Sequence, residues 1–334
     1  MALRKVPAVG GIKRGPAWPA VSAPVVVCLG LAAFALVLAI WFGPVAAGQA
    51  TVNGLVAGSY LGLGAIGLTL VFGVLRLVNF AHGDFLTAGT YFTIGLAAVG
   101  VPFLAAALLA TIATAMLALV TEQILWRPMR NRGAGTLQLF LTAIGLALVI
   151  RFSIQFVGGG QARTLGVDIL SAVELGAVRL GLMQAAVLVV GLIAMGAVGL
   201  MLRHTRLGKE MRAYADNRAL AEVSGIDTRR IVTMTWLLSG LLAGLAGILY
   251  SAAIGTFNPN LGLTLLLSLF APGILGGIGN AYGALFGGIV LGLSQEWATL
   301  LFNPRWKPAV GFAILILTLL FLPQGIFGQA RRKS

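Results

Sequence analysis

The sequence predicts an all-α fold: a polytopic helical membrane protein of about ten transmembrane helices, with a short amphipathic segment on the cytoplasmic side. Three observations lead there. Hydrophobic residues make up 59% of the chain and charged residues 10%, with a mean hydropathy of +0.98, whereas soluble domains average about 45–50% apolar and about 25% charged. The apolar residues fall into repeated runs of about twenty, the length that crosses a ~30 Å hydrocarbon core as a helix. The 46 glycines suit membrane helices that pack backbone against backbone.

In chain order the expected spans are 23–43, 50–75, 84–100, 102–125, 136–157, 183–202, 231–254, 262–279, 282–301 and 308–323. Residues 1–20, rich in Pro and Gly, read as a flexible cytoplasmic tail. Residues 21–328 form the transmembrane domain, interrupted by a charged segment at 203–230, and 329–334 form a basic cytoplasmic tail. The apolar core of the first span, about nineteen residues, exceeds the 7–15 of a signal sequence, so a retained anchor is expected. The small-residue stretch "VAAGQA" is the cleavage pattern that the alternative would use.

Charge orients these spans. With the amino terminus in the cytoplasm, eighteen basic residues fall on that side: Arg4, Lys5, Lys13, Arg14, Arg76, Arg127, Arg130, Arg132, Arg203, Arg206, Lys209, Arg212, Arg218, Arg229, Arg230, Arg331, Arg332 and Lys333. Four fall opposite, namely Arg163, Arg179, Arg305 and Lys307, and Arg151 lies inside a span. The positive-inside rule places both termini in the cytoplasm. The net charge of +14 is thereby topological, which argues against nucleic acid as a partner. The single cysteine, Cys28, forms no intrachain disulfide and no cysteine metal site.

The segment between spans six and seven carries "KEMRAYADNRALAEVSGIDTRR" (209–230), dense in charges of both signs. Met211, Ala215, Ala219 and Val223 repeat every four residues with Leu220 beside them, a narrow apolar stripe. Arg212 with Asp216 and Arg218 with Glu222 are spaced to pair along a helix. Asp216 is placed to cap a short helix that Gly225 ends in a left-handed turn, and Asp227 or Thr228 to cap span seven. A solvated connector would be richer in Gly, Ser and Pro, and alanines anchor weakly in lipid. A small apolar face rimmed by charge fits a protein groove.

"NFAHGD" (79–84) puts Asn79, His82 and Asp84 at the junction of spans two and three. One reading is structural: Asp84 caps span three, Asn79 caps the end of span two and His82 bonds a backbone carbonyl. The other makes them a gate or part of the translocation path, since ionisable groups near hydrocarbon face protein or water. Glycines four apart form two rows for close helix packing, Gly54, Gly58 and Gly62 in span two and Gly279, Gly283 and Gly287 entering span nine. "GTFNPNLG" (255–262) reads as an outer turn. No metal site is expected, because the two histidines, His82 and His204, lie on distant segments. No phosphate-binding GxxxxGK[ST] loop and no GxSxG nucleophile elbow occurs, so no enzymatic activity is expected of the chain and any ATP hydrolysis is expected from another polypeptide.

Several motifs then converge. "LRLVNFAHGDFLTAGTYF" (75–92), "RPMR" (127–130), "RAYADNRALAEVSGI" (212–226), "GLLAGLAGILY" (240–250), "FAPGILGGIGNAYGALFGGIVLGL" (270–293) and "FLPQGIFG" (321–328) together resemble the branched-chain amino acid permease family of ATP-driven importers, over about residues 50–328. The "NFAHGD" form is similar to the shorter of the two sibling permeases. The resemblance implies that the chain forms the path for branched-chain or related amino acids, and that Arg212, Tyr214, Ala215, Asn217, Ala219, Glu222 and Gly225 couple it to an ATPase. It implies two ATPase subunits that bind ATP and magnesium, a sibling permease in a heterodimer, an extracytoplasmic solute-binding protein, surrounding membrane lipid and a bacterial inner membrane location. The competing reading is a self-sufficient secondary transporter or channel for a small polar solute. An ion-driven carrier would hold acidic residues at mid-membrane, where these spans have few.

Overall fold

A computed structural model describes residues 23–277, 279–322 and 324–327. The two expected tails, 1–20 and 329–334, lie outside the described residues. Ten helices stand where ten spans are expected: α1 (Ala23–Phe42), α2 (Pro44–Leu75), α3 (His82–Ala98), α4 (Phe103–Thr121), continued through a π-turn at Glu122–Trp126 into α5 (Arg127–Asn131), then α6 (Thr136–Gly158), α7 (Leu182–His204), α10 (Thr228–Ile254), α11 (Leu261–Gly276), α12 (Ala281–Ala298) and α13 (Lys307–Phe321). Between α7 and α10 come two short helices, α8 (Arg206–Asp216) and α9 (Arg218–Val223).

Among the described residues seven helices are long and apolar enough to cross a membrane, the last of them α13 counted from Pro304. The other three are α3, α11 and α12, with 17, 16 and 18 residues, and α11 meets α12 at 119°. Most of α11 and α12 and the first half of α3 are buried in the bundle, so these segments pack against protein rather than lipid. At the centre stands α2, whose 32 residues extend about 48 Å at 1.5 Å per residue. It begins six residues before the expected span, because Pro44 provides a helix-ready φ at the first turn. "VAAGQA" is accordingly helical, with Ala47 and Ala50 buried against Leu38 of α1 and Trp297 of α12.

The glycines of α2 meet α12. A Cβ on Gly58 would lie 2.7 Å from Ile289 Cα, one on Gly288 2.2 Å from Gly62 Cα, and one on Gly292 2.3 Å from Gly58 N. The row in α2 packs as expected, whereas the second row needs correction. Gly283 and Gly287 face Gly276 and Pro272 of α11, with Cβ positions 2.0 and 2.4 Å from those carbonyl oxygens. Gly279 precedes α12 in a turn at φ +84°, against Gly73. A helical repeat does not continue through a left-handed residue, so the three glycines do not share one face.

At the end of the bundle opposite α8 and α9, short strands join the helices. Here β1 (Arg163–Thr164) pairs antiparallel with β4 (Thr256–Phe257), and β2 (Ala172–Leu175) pairs with β3 (Val178–Gly181). The all-α expectation passes over these pieces. The outer turn at 255–262 is present, with Asn258 Oδ1 accepting from Asn260 N at 2.9 Å.

Candidate functional site

The charged segment folds back on the bundle in two helices. Thr205 caps α8, its hydroxyl accepting from Gly208 N at 3.2 Å. Arg212 donates to the carbonyl of Leu202, and Arg76 Nη2 donates to Ala215 O at 3.4 Å. Met211 and Tyr214 are buried in the main core, and Ala215 is half-buried. Burial pushes the Tyr214 phenol up, against the opposing pull of the Arg218 guanidinium, which lies 5.9 Å from the ring centroid. So α8 is a fixed strut.

The chain breaks at Asn217, which is extended at φ −153° and accepts from Leu220 N at 3.0 Å to cap α9. This corrects the expected cap at Asp216, which ends α8 instead. The break also splits the expected stripe. Met211 turns inward, while Ala219, Leu220 and Val223 stand exposed on α9, Leu220 at 60% and Val223 at 82%. The two expected ion pairs do not form. Arg212 serves a carbonyl, Arg218 lies against Tyr214, and the pair along α8 is Arg206 with Glu210 at 2.7 Å. Glu222 is exposed beside the apolar patch. Gly225 ends α9 at φ +81°, with Gly225 N donating to Glu222 O and Ile226 N to Ala221 O. Asp227 then caps α10 through Arg230 N at 3.0 Å.

Asn79, His82 and Asp84 come together, deeper than a surface junction would place them. His82 Nε2 donates to Gly64 O at 2.9 Å. Gly64 lies eleven residues before the end of α2, a depth of about 16 Å, so residues 76–81 turn back into the bundle and α3 starts inside it. All three side chains are fully buried. Asn79 Oδ1 accepts from Ala81 N at 3.1 Å, supporting the start of α3 rather than the end of α2, where Arg76 adopts a left-handed cap. The carbonyl bond of His82 is the one expected from sequence, and its Nδ1 lies 3.4 Å from Ser239 Oγ.

Asp84 is not a cap. Its two oxygens accept from Arg151 Nε and Nη2, both at 3.0 Å, a bidentate pair between α3 and α6. Sequence reasoning left Arg151 without a partner. The available signal was a lone cation and a lone carboxylate in separate spans, each costly unless they meet. Likewise Glu122, buried at the end of α4, is held by Arg130.

A cleft of 510 Å³ opens beside the strut, lined by Thr69 and Val74 of α2, Met211 and Ala215 of α8, and Asn280 and Tyr282 at the start of α12. Tyr282 donates to Gly199 O of α7 at 2.5 Å. Movement of α8 would therefore be felt at α2, α7 and α12 together. At the opposite end, Asp168 holds its loop by accepting from the Ser171 hydroxyl and from the N–H groups of Leu170 and Ser171, and these bonds keep its carboxyl below the usual range.

Residues 50–319 match the family described as "Branched-chain amino acid transport system / permease component". The chain is 30% identical over 295 residues to the high-affinity branched-chain amino acid transport system permease protein BraD of Pseudomonas aeruginosa, covering 84% of this chain and 95% of that protein. It is 31% identical over 302 residues to LivH of Salmonella typhimurium, a permease protein of the same description, again covering 84% and 95%. A probable branched-chain amino acid transport permease protein of Methanocaldococcus jannaschii is 30% identical over 286 residues, covering 80% and 89%.

Proposed function

The chain belongs to the branched-chain amino acid transport permease family, and on that premise we propose that it carries branched-chain or closely related amino acids across a bacterial inner membrane as one half of an ATP-driven importer. In this reading a sibling permease completes the path as a heterodimer, and an extracytoplasmic binding protein delivers the solute. Two ATPase subunits bind ATP and magnesium, and the permease has no ATPase site of its own.

The observation that carries the coupling role is α9. It presents exposed Ala219, Leu220 and Val223 between charges of both signs, and its ends are defined by Asn217 and Gly225. Apolar side chains grouped on one face and rimmed by polar residues mark a candidate interaction surface. A push on α9 passes through the buried Met211 and Tyr214 of α8 to the cleft against α2 and α12. The bundle brings Arg76, Arg127, Arg130, Arg218 and Arg229 to this same end, which supports a cytoplasmic location for it and for both termini. Asn79, His82 and Asp84 hold the buried start of α3 in place, a fixed point against which a gate works.

The competing carrier reading requires a carboxylate free to exchange its ion. Asp84 and Glu122, the buried carboxylates among the described residues, are each held by an arginine. The deciding experiment reconstitutes the chain with its ATPases, sibling and binding protein in proteoliposomes. Leucine uptake should require ATP and both ATPases and be inhibited by isoleucine and valine. Uptake by the permease alone, driven by a proton or sodium gradient, would overturn the proposal.

A further inference from the structure

A second cleft, of 250 Å³, opens at the α8–α9 end of the bundle, between the α4–α5 junction, the α8–α9 corner and the first turns of α10. Four arginines line it: Arg127, Arg130, Arg218 and Arg229. Its one carboxylate, Glu122, is already taken by Arg130, so the lining keeps three positive charges in excess. Arg127 and Arg229 are exposed and make no ion pair among the described residues. Thr228 and Arg229 open α10, whose positive end is taken by the Asp227 carboxylate, so the arginines alone supply the positive field of the cleft. The Glu122–Trp126 π-turn directly precedes Arg127, and such bulges are frequent at functional sites.

A separate feature leads to the same place. Ile112, Met116, Val120 and Ile124 recur every four residues along the outside of α4 and its π-turn, each between 44% and 73% exposed. Such a row forms a ridge inclined to the helix axis. It ends at Ile124, one turn before Arg127 and beside Gln123 of the cleft lining. An apolar ridge ending at a basic cleft is the shape of an acyl chain with a phosphate at its head, and basic pockets between membrane helices take such headgroups.

We infer that this cleft binds the phosphate headgroup of an anionic phospholipid whose acyl chain lies along the α4 ridge. The bound lipid wedges between α4, α10 and the corner that carries α9. It thereby sets the resting position of the coupling segment from the lipid side. The assignment to the cytoplasmic leaflet rests on the orientation proposed above, while the binding itself does not.

The test uses the purified complex in detergent and native mass spectrometry with added phosphatidylglycerol, phosphatidylcholine or inorganic phosphate. Phosphatidylglycerol should be retained over phosphatidylcholine. Arg127→Gln with Arg229→Gln should reduce its retention about thirtyfold, from about fivefold for each arginine at a headgroup surface, while lysine at both positions should keep most of it. Val120→Ser with Ile124→Ser should weaken retention with all four arginines in place. If the double arginine variant does not fold, each single variant should still show its fivefold loss. Equal retention of the two lipids, or retention unchanged in the glutamine variants, would sink the proposal. Displacement by inorganic phosphate would make the cleft a site for a soluble anion, and absence of lipid only when the ATPases are bound would make it part of the protein contact. Either result also overturns the lipid assignment. Failure here leaves the transport reading intact, since uptake is measured separately.

Discussion

Replacing Leu220 and Val223 together by serine should release the ATPase subunits and leave the membrane domain folded. Neither side chain adds much to the packing of the chain itself, since Leu220 is 60% and Val223 82% exposed. Fully burying such a side chain contributes about 1.5–3 kcal/mol. With about 2 for leucine and about 1.5 for valine, the fractions still exposed leave about 1.2 kcal/mol at each position to be gained on docking. The double variant should thus lose about 2.4 kcal/mol, or about fiftyfold in affinity. The assay is a titration of purified ATPase against the detergent-solubilised permease, with thermal unfolding as the control. Arg218→Ala, at the polar rim, should cost about 1 kcal/mol or less. An affinity for the double variant within twofold of the parent would refute docking through α9 and leave the segment as a connector.

Three further substitutions test the interior and the hinge. Arg151→Leu strands Asp84 without its bidentate partner, and should cost about 3–5 kcal/mol of stability. Joint replacement of Asp84 and Arg151 by leucine should recover most of this, and a double variant as unstable as the single would contradict the account. Gly283→Leu puts a Cβ 2.0 Å from Gly276 O and should lower both yield and unfolding temperature, whereas unchanged melting would show that α11 and α12 do not meet there. Gly225→Val meets no atom within 4 Å, so its cost is the left-handed φ of +81°, about 1–2 kcal/mol. It should reduce ATP-dependent uptake while the membrane domain melts as before, and Gly225→Asn should be tolerated. Full uptake in the valine variant would show that the end of α9 is not held in this turn.

What the sequence disclosed was local. Apolar runs located the ten helices because a run of that length has few other homes, and Gly225 and Asp227 were readable because caps depend on neighbours three or four residues away. Pairings across the bundle were hidden. Asp84 and Arg151 are 67 residues apart, and no periodicity links them. Gly288 and Gly292 lie four apart like their partners in α2, but which rows face each other depends on the tertiary arrangement. The split of the 211–223 stripe turned on Asn217, whose side chain gains more by capping Leu220 N than a helix loses there. Nothing in the apolar pattern showed that residues 76–81 re-enter the bundle, because a turn holding Arg76 and Asn79 reads like any polar junction between two spans.

The depth at which α3 begins bears on how the chain is made. Asp84 emerges from the ribosome 67 residues before Arg151, about 3–13 s earlier at ordinary synthesis rates. Through that interval α3 offers a bare carboxylate to the bilayer interior, at a cost of about 2.5–3.5 kcal/mol, on a helix of only 17 residues. Pairing with Arg151 removes that cost, so α3 is expected to settle in the membrane only once α6 has been made. With Cys28 replaced by serine and a single cysteine introduced in α3, nascent chains halted before residue 151 should be labelled by aqueous reagents, and chains extended beyond α6 should be protected. Equal protection at both lengths would mean that α3 enters the membrane alone.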